Sequence, residues 1–209
     1  MTSVTGDKQV IPLMDQLTQC FTPTDLTDQW VNSYLPSLEH SLTMISFDCD
    51  TLRCHQWLLG HHATDLQLVR IATILKRTFT YDAVFRLSGD EFAVFTASKD
   101  VNELKLQQLL NELEDPTAFT DTKKHDSLWK RTINLFVSTN STPENQLPSF
   151  TVSACTSELI LPISAIEIRE LHDRNVAKIG STRYAGISHI NPASQFPKGK
   201  TGILVHNAG

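Results

Sequence analysis

The apolar run Leu42-Thr43-Met44-Ile45-Ser46-Phe47 has the length and composition of a buried strand. It ends in Asp48-Cys49-Asp50, so the strand delivers carboxylates at its C-terminal end. Two further apolar stretches, Ala83 to Leu87 and Phe92 to Ala97, are rich in aromatic and β-branched residues and flank Ser88-Gly89-Asp90-Glu91. This predicts a hairpin with Gly89-Asp90 as a two-residue loop, in which glycine supplies a positive φ and Asp90 and Glu91 sit at the tip. Helical spacing recurs between the strands. Leu26 to Leu38 reads as a helix, and Thr64 with Gln67 has the spacing of a capping box. The helix it would open has Leu66, Val69, Ile71, Ala72 and Leu75 on its apolar face and ends near Thr78. Val101 to Leu113 is helical in pattern, with Leu104, Leu106, Leu109, Leu110 and Leu113 as its inner face and Pro116 at its limit. That leucine stripe reads as core. A late strand at Phe150 to Ser153 precedes a helix over Ile166 to Gly180.

Length and composition suit one domain with a full core: 209 residues, 40% of them hydrophobic. No leader sequence and no apolar run of membrane-spanning length stands out, which predicts a cytoplasmic protein. The four cysteines, Cys20, Cys49, Cys54 and Cys155, lack CxxC spacing and read as reduced thiols. A net charge of −5 argues against a nucleic-acid surface, while a local cationic pocket still suffices for a small nucleotide. Between residues 115 and 149 the chain is polar and threonine-rich, with Lys123-Lys124, Lys130-Arg131 and a strand-like Thr132 to Val137. We read it as an inserted hairpin or loop whose basic pairs belong to a solvated face. Residues 1–14 form a short extension, too few for a sensory domain. The tail, 188–209, carries Pro192, Pro197 and several glycines and reads as extended or disordered.

The candidate chemistry lies in the acidic residues. Three or four carboxylates meeting at one sheet edge repel one another, which points to a hard cation such as Mg²⁺ paired with substrate phosphates. On local pattern alone a plainer reading stands beside this one: the Ser-Gly-Asp-Glu stretch is a turn, and Asp48 merely ends a strand.

The wider register favours the first reading. Phe85 to Phe95 resembles the signature of GGDEF domains, the family of bacterial diguanylate cyclases, with Ser88 in place of the first glycine. From Asp48 the chain resembles, without a gap, Asp-x-Asp-x-Phe-Lys-x-x-Asn-Asp-x-x-Gly-His-x-x-Gly-Asp-x-x-Leu, and Asp48, Asp50, Gly60, His61, Asp65 and Leu68 fall in place. Asp15-Gln16-Leu17-Thr18 resembles the opening Asp-x-Leu-Thr, and Phe150-Thr151-Val152-Ser153 the late Val-Thr-Val-Ser. The resemblance spans about residues 15 to 187.

It implies an α/β (α+β) fold, the palm shared with nucleotide polymerases and class III cyclases, in which helices flank a mostly antiparallel central sheet. The implied reaction condenses two GTP into cyclic di-GMP across a homodimer. Carried over by residue, Asp48, the Cys49 carbonyl, Asp90 and Glu91 bind Mg²⁺ or Mn²⁺, and Asp90 or Glu91 assists deprotonation of the ribose hydroxyl. Arg53 meets a phosphate, Gln56 and Asp65 read guanine beside His61, and Ser88 and Gly89 line the substrate. Phe79 replaces the arginine of the inhibitory product site, and Asp82 is kept, which implies that feedback by cyclic di-GMP is lost.

Departures leave a second reading open: a degenerate module binding GTP, a protein partner or a sensor without turnover. Trp57 replaces an acidic residue, Thr64 the glycine before Asp65, and Pro23 an arginine. The late motif Ala-Asp-x-Ala-Leu-Tyr-x-Ala-Lys aligns through His172-Asp173, which puts Gly180 at the phosphate-binding lysine. Alternatively it aligns through Ala177-Lys178, which loses the aspartate; Lys178 or Arg183 could then compensate. A transition-metal site at His55, His61 and His62 is disfavoured, because no complete ligand set accompanies them.

Overall fold

The computed structural model describes residues 14–38, 41–50, 52–79, 83–114, 151–185, 189–190 and 204–205. In chain order these form α1 (Asp28–Leu38), β1 (Leu42–Cys49), α2 (Leu52–Leu59), α3 (His61–Thr78), β2 (Val84–Arg86) and β3 (Glu91–Ala97). A 3-10 turn at Ser98–Asp100 follows, then α4 (Glu103–Glu114), β4 (Val152–Leu159), α5 (Ala165–Ala185), β5 (His189–Ile190) and β6 (Leu204–Val205). The segment 115–149 and Asp82 lie outside the described residues, as does the tail apart from its two short strands.

The strands make one antiparallel sheet in the order β2-β3-β1-β4-β6-β5. β1 is central and buried along its whole length, which explains why its sequence is a continuous apolar run instead of an alternating one. Successive side chains still point to opposite faces. Ile45, Phe47 and Cys49 pack with Ile71 and Leu75 of α3 and Leu110 of α4, whereas Leu42 and Met44 pack with Leu35 of α1 and Ile168 of α5. Helices therefore cover both faces, and the mixed α/β architecture read from the sequence is the one observed.

An aromatic cluster locks α1 onto the hairpin. Trp30 meets Phe85 edge-on at 4.9 Å between ring centroids, Phe85 meets Phe95 at 5.5 Å, and Phe21 stacks on Phe85 at 5.1 Å. Each such pair contributes about 0.5–1.5 kcal/mol beyond the area it buries. Phe21 also pairs with Phe85 as a parallel bridge: its N–H donates to the Val84 carbonyl at 3.0 Å, and its carbonyl accepts from the Arg86 N–H at 2.9 Å.

The helix starts follow capping chemistry. Thr27 Oγ1 accepts from the Trp30 N–H at 3.2 Å, and Asn102 Oδ1 from the Lys105 N–H at 2.8 Å. At α5, Ser164 and Glu167 form a reciprocal capping box, and Asp28 Oδ1 accepts from the Ala165 N–H at 2.7 Å. Thr64, expected to cap α3, does not. The helix opens at His61 behind Gly60, so Thr64 lies inside it and its hydroxyl donates to the His61 carbonyl at 2.8 Å. Leu104 is also misplaced by the sequence reading. Leu106, Leu109, Leu110 and Leu113 are buried, but Leu104 stands about 200° around the helix from Leu106 and is 78% exposed. Leu66 and Val69 of α3 are half-buried. Among the described residues no helix is long and apolar enough to cross a membrane.

Candidate functional site

The register of β1 with its neighbours builds the candidate site. Asp48 lies opposite Glu91 of β3 on one side and opposite Ser153 of β4 on the other, so all three share the sheet face that α5 covers. Asp48 is 9% exposed and Glu91 25%. The turn is stitched to the strand end: the Cys49 N–H donates to the Asp90 carbonyl at 3.3 Å, and the Leu87 N–H to the Glu91 carbonyl at 3.0 Å. The Cys49 side chain itself faces away, into the core against α3 and α4. Asp50 staples the end of β1 to β4, where its carboxylate accepts from Thr151 Oγ1 at 2.8 Å and from Ser153 Oγ at 2.9 and 3.0 Å.

The hairpin differs from the expected one. The reversal occupies Leu87 to Asp90, longer than a two-residue loop, and Gly89 has no positive φ. Spreading the turn over more residues removes the need for a left-handed position. Ser88 and Gly89 are exposed, and nothing lies within 4 Å of where a Gly89 Cβ would stand.

Arg86, which the sequence reading passed over, holds this turn in place. Its Nε and Nη2 donate to the Gly89 carbonyl at 3.2 and 2.7 Å, and its Nη1 reaches the Asp15 carboxylate at 3.2 Å. Asp15 Oδ2 also accepts from the Thr18 N–H at 2.7 Å and from Thr18 Oγ1 at 2.6 Å. Burial alone would raise the Asp15 pKa, but the Thr18 hydrogen bonds and the Arg86 charge together hold it below the usual carboxylate value. Lys76 of α3 secures the same turn from behind, donating to the Thr18 and Gln19 carbonyls at 2.7 and 3.1 Å. The available signal was a lone arginine between Phe85 and Leu87 in an otherwise apolar strand.

The residues implied for nucleotide contact sit across the α2–α3 junction. Arg53 is exposed on α2, Gln56 is half-buried on it, His61 opens α3, and Asp65 lies half-buried one turn further. Gln56 Nε2 is hydrogen-bonded to His61 Nδ1. Gly60 makes that junction possible: its φ of 83° and ψ of 169° belong to a region only glycine occupies without strain.

Other candidates separate. His55 is buried while His61 and His62 are exposed, and no group of three His, Cys, Asp or Glu side chains among the described residues is arranged to hold a metal ion. The expected convergence of three or four carboxylates is therefore not a preformed cage. What the register supplies is the Asp48–Glu91 opposition with Asp90 beside it. Phe79 is a core residue packed with α3 and α4. Trp57 is 88% exposed on α2. Lys178 lies near Cys155, where burial pulls its pKa down, with Cys155 opposing and Arg174 adding to the shift. Burial pushes the Cys155 thiol up to about 11.

The family model "Diguanylate cyclase, GGDEF domain" matches residues 12–146. A search of curated proteins finds no match. Among solved structures, the chain is similar to the FimX GGDEF domain from Pseudomonas aeruginosa, with a TM-score of 0.56, 15% identity, and 82% of this chain and 96% of that one covered. It is similar to a microbial GGDEF domain described in interaction with cyclic di-GMP, at TM-score 0.55 and 22% identity, covering 83% and 92% of the two chains. The GGDEF domain of DgcB from Caulobacter crescentus, solved in complex with c-di-GMP, has a TM-score of 0.53 and 17% identity, covering 83% and 88%. At these identities the structures speak for the fold, and the family model, which spans more than half of the chain, speaks for descent. The chain belongs to the GGDEF domain family of diguanylate cyclases.

Proposed function

We propose that this protein is a diguanylate cyclase that condenses two GTP into cyclic di-GMP, with loss of pyrophosphate, between two copies of the chain. The observation that carries the reading is the register that sets Asp48 against Glu91 while the backbone ties Asp90 to Cys49. Like charges directly opposite on a sheet are destabilising, and a cation bound between them would relieve that repulsion. The donor set fits Mg²⁺ or Mn²⁺: hard carboxylate oxygens, few in number, with substrate phosphates expected to complete the coordination. Asp48 and Glu91 would hold the ion, with Asp90 and the Cys49 carbonyl. When bound, it neutralises charge on the reacting and leaving phosphates.

The chain's own residues position and move the proton. Asp90 or Glu91 takes the proton of the ribose 3′-hydroxyl, Arg53 meets a phosphate, and Gln56, His61 and Asp65 receive the guanine. The open turn at Ser88 and Gly89 leaves room for the substrate backbone. Because each chain binds one GTP in this reading, catalysis needs a face-to-face homodimer, in the cytoplasm where GTP is available. Feedback at the product site is absent, since Phe79 is core and carries no charge.

Two observations favour a second reading, a module that binds GTP or a protein partner without turnover. The Gln56 amide is already engaged by His61, and Lys178 faces Cys155. One experiment separates the two: purified protein with GTP and Mg²⁺, beside Asp90→Asn, assayed for cyclic di-GMP by chromatography and mass spectrometry. The cyclase reading expects product from wild type and a loss of at least about 100-fold in the variant. GTP binding without product, at concentrations that permit dimers, would establish the second reading.

A further inference from the structure

The inner face of α5 carries two polar residues, His172 and Asn175, and both are buried, at 2% and 0% exposure. They belong to a chain of hydrogen bonds that crosses the sheet. Ser157 Oγ is 3.1 Å from Asn175 Oδ1, Asn175 Nδ2 is 3.2 Å from Ser46 Oγ, and Ser46 Oγ is 3.1 Å from His172 Nδ1. At the far end, His172 Nε2 is buried without a hydrogen-bond partner among the described residues and stands 3.4 Å from Glu91 Oε2, the carboxylate oxygen it approaches.

The direction of the chain follows from donor and acceptor chemistry. Asn175 Oδ1 can only accept, so Ser157 donates to it; Asn175 Nδ2 can only donate, so Ser46 Oγ accepts. Ser46 is fully buried, and its own proton then goes to His172 Nδ1. That leaves the imidazole proton on Nε2, facing a carboxylate that only accepts. The opposite tautomer would set a nitrogen lone pair against the Glu91 carboxylate and strand the Ser46 proton.

We propose that His172 is a positioning residue for Glu91: its unpartnered Nε2–H is aimed at the carboxylate 3.4 Å away and closes on it to hold it at the sheet end, and Ser46, Asn175 and Ser157 fix the imidazole in that tautomer. The inference rests on the cyclase reading only for its effect on rate. The contact itself is a property of the fold. Partners that orient a catalytic or metal-binding group in this way typically contribute about 10- to 100-fold.

Glutamine and asparagine separate positioning from packing, because a glutamine amide reaches the place of Nε2 whereas an asparagine amide reaches only that of Nδ1. In the full chain, His172→Gln should keep kcat within about threefold, and His172→Asn should lower it about 10- to 100-fold with the KM for GTP within about twofold. Equal loss in both variants, or a loss confined to KM, overturns the proposal. The second readout is independent of turnover: side-chain ¹⁵N spectra of histidine-labelled protein should place the His172 proton on Nε2, with a resonance that moves in Glu91→Gln. A proton on Nδ1, or no response to Glu91→Gln, overturns it. If wild type makes no cyclic di-GMP, the cyclase reading falls while the spectra still decide the contact.

Discussion

Asp15 shows how one side chain is tuned by its surroundings. Its carboxylate is partly buried, which on its own disfavours the charge, yet Thr18 and Arg86 reverse the balance and hold the pKa down. A lowered folded-state pKa stabilises the fold above the ordinary value of 3.8, and that contribution is lost as pH falls through the lower folded value. The stability difference between wild type and Asp15→Asn in urea unfolding should therefore be fully present at pH values well above 3.8 and shrink as pH falls below it. A difference that stays constant as pH falls would show that Asp15 is not held ionised by Thr18 and Arg86. The same residue shows why part of the site was hidden in the sequence. Asp90 and Glu91 were legible because two carboxylates on a turn between apolar runs are uncommon. Arg86 was not, because its partner lies 71 positions away. His172 was hidden for the same reason, bonding to Ser46 across 126 positions.

Among the elements, β1, the hairpin strands and the leucine-rich helix were legible, since each buries enough apolar surface to impose its own period. What failed were the boundaries set by backbone conformation. The start of α3 is fixed by Gly60, and a threonine with correctly spaced glutamine mimicked a cap one turn too late. α5 was legible as a helix over Ile166 to Gly180 and runs on to Ala185, but its buried face was not, because it carries histidine and asparagine. Gly60→Ala tests the first point. Nothing crowds the Cβ position, so the cost is backbone strain alone, about 1–3 kcal/mol. Chemical denaturation should show that loss, together with weaker GTP binding as Gln56 and His61 shift apart. A change under about 0.5 kcal/mol would mean that the junction tolerates another conformation.

For the molecule as a whole, two helical layers on one sheet place Cys155 at 1% exposure beneath α5, with its thiol raised to about 11. Thiolate is the reactive form, so at neutral pH this cysteine should be modified only when α5 leaves the sheet. Labelling followed by peptide mass spectrometry should give a Cys155 rate that tracks unfolding through a denaturant series. Reaction of the native protein at the rate of a free thiol would contradict the packing. At the other end of the sheet, the Phe21 bridge has a consequence for solubility. β2 is the outermost strand on its side, and a bare outer strand is a template onto which another chain can add. Phe21 occupies the Val84 carbonyl and the Arg86 amide, the groups such an intruder would use. A short stretch ahead of α1 thus acts as a guard against edge-to-edge aggregation, and trimming the protein past Phe21 would remove it.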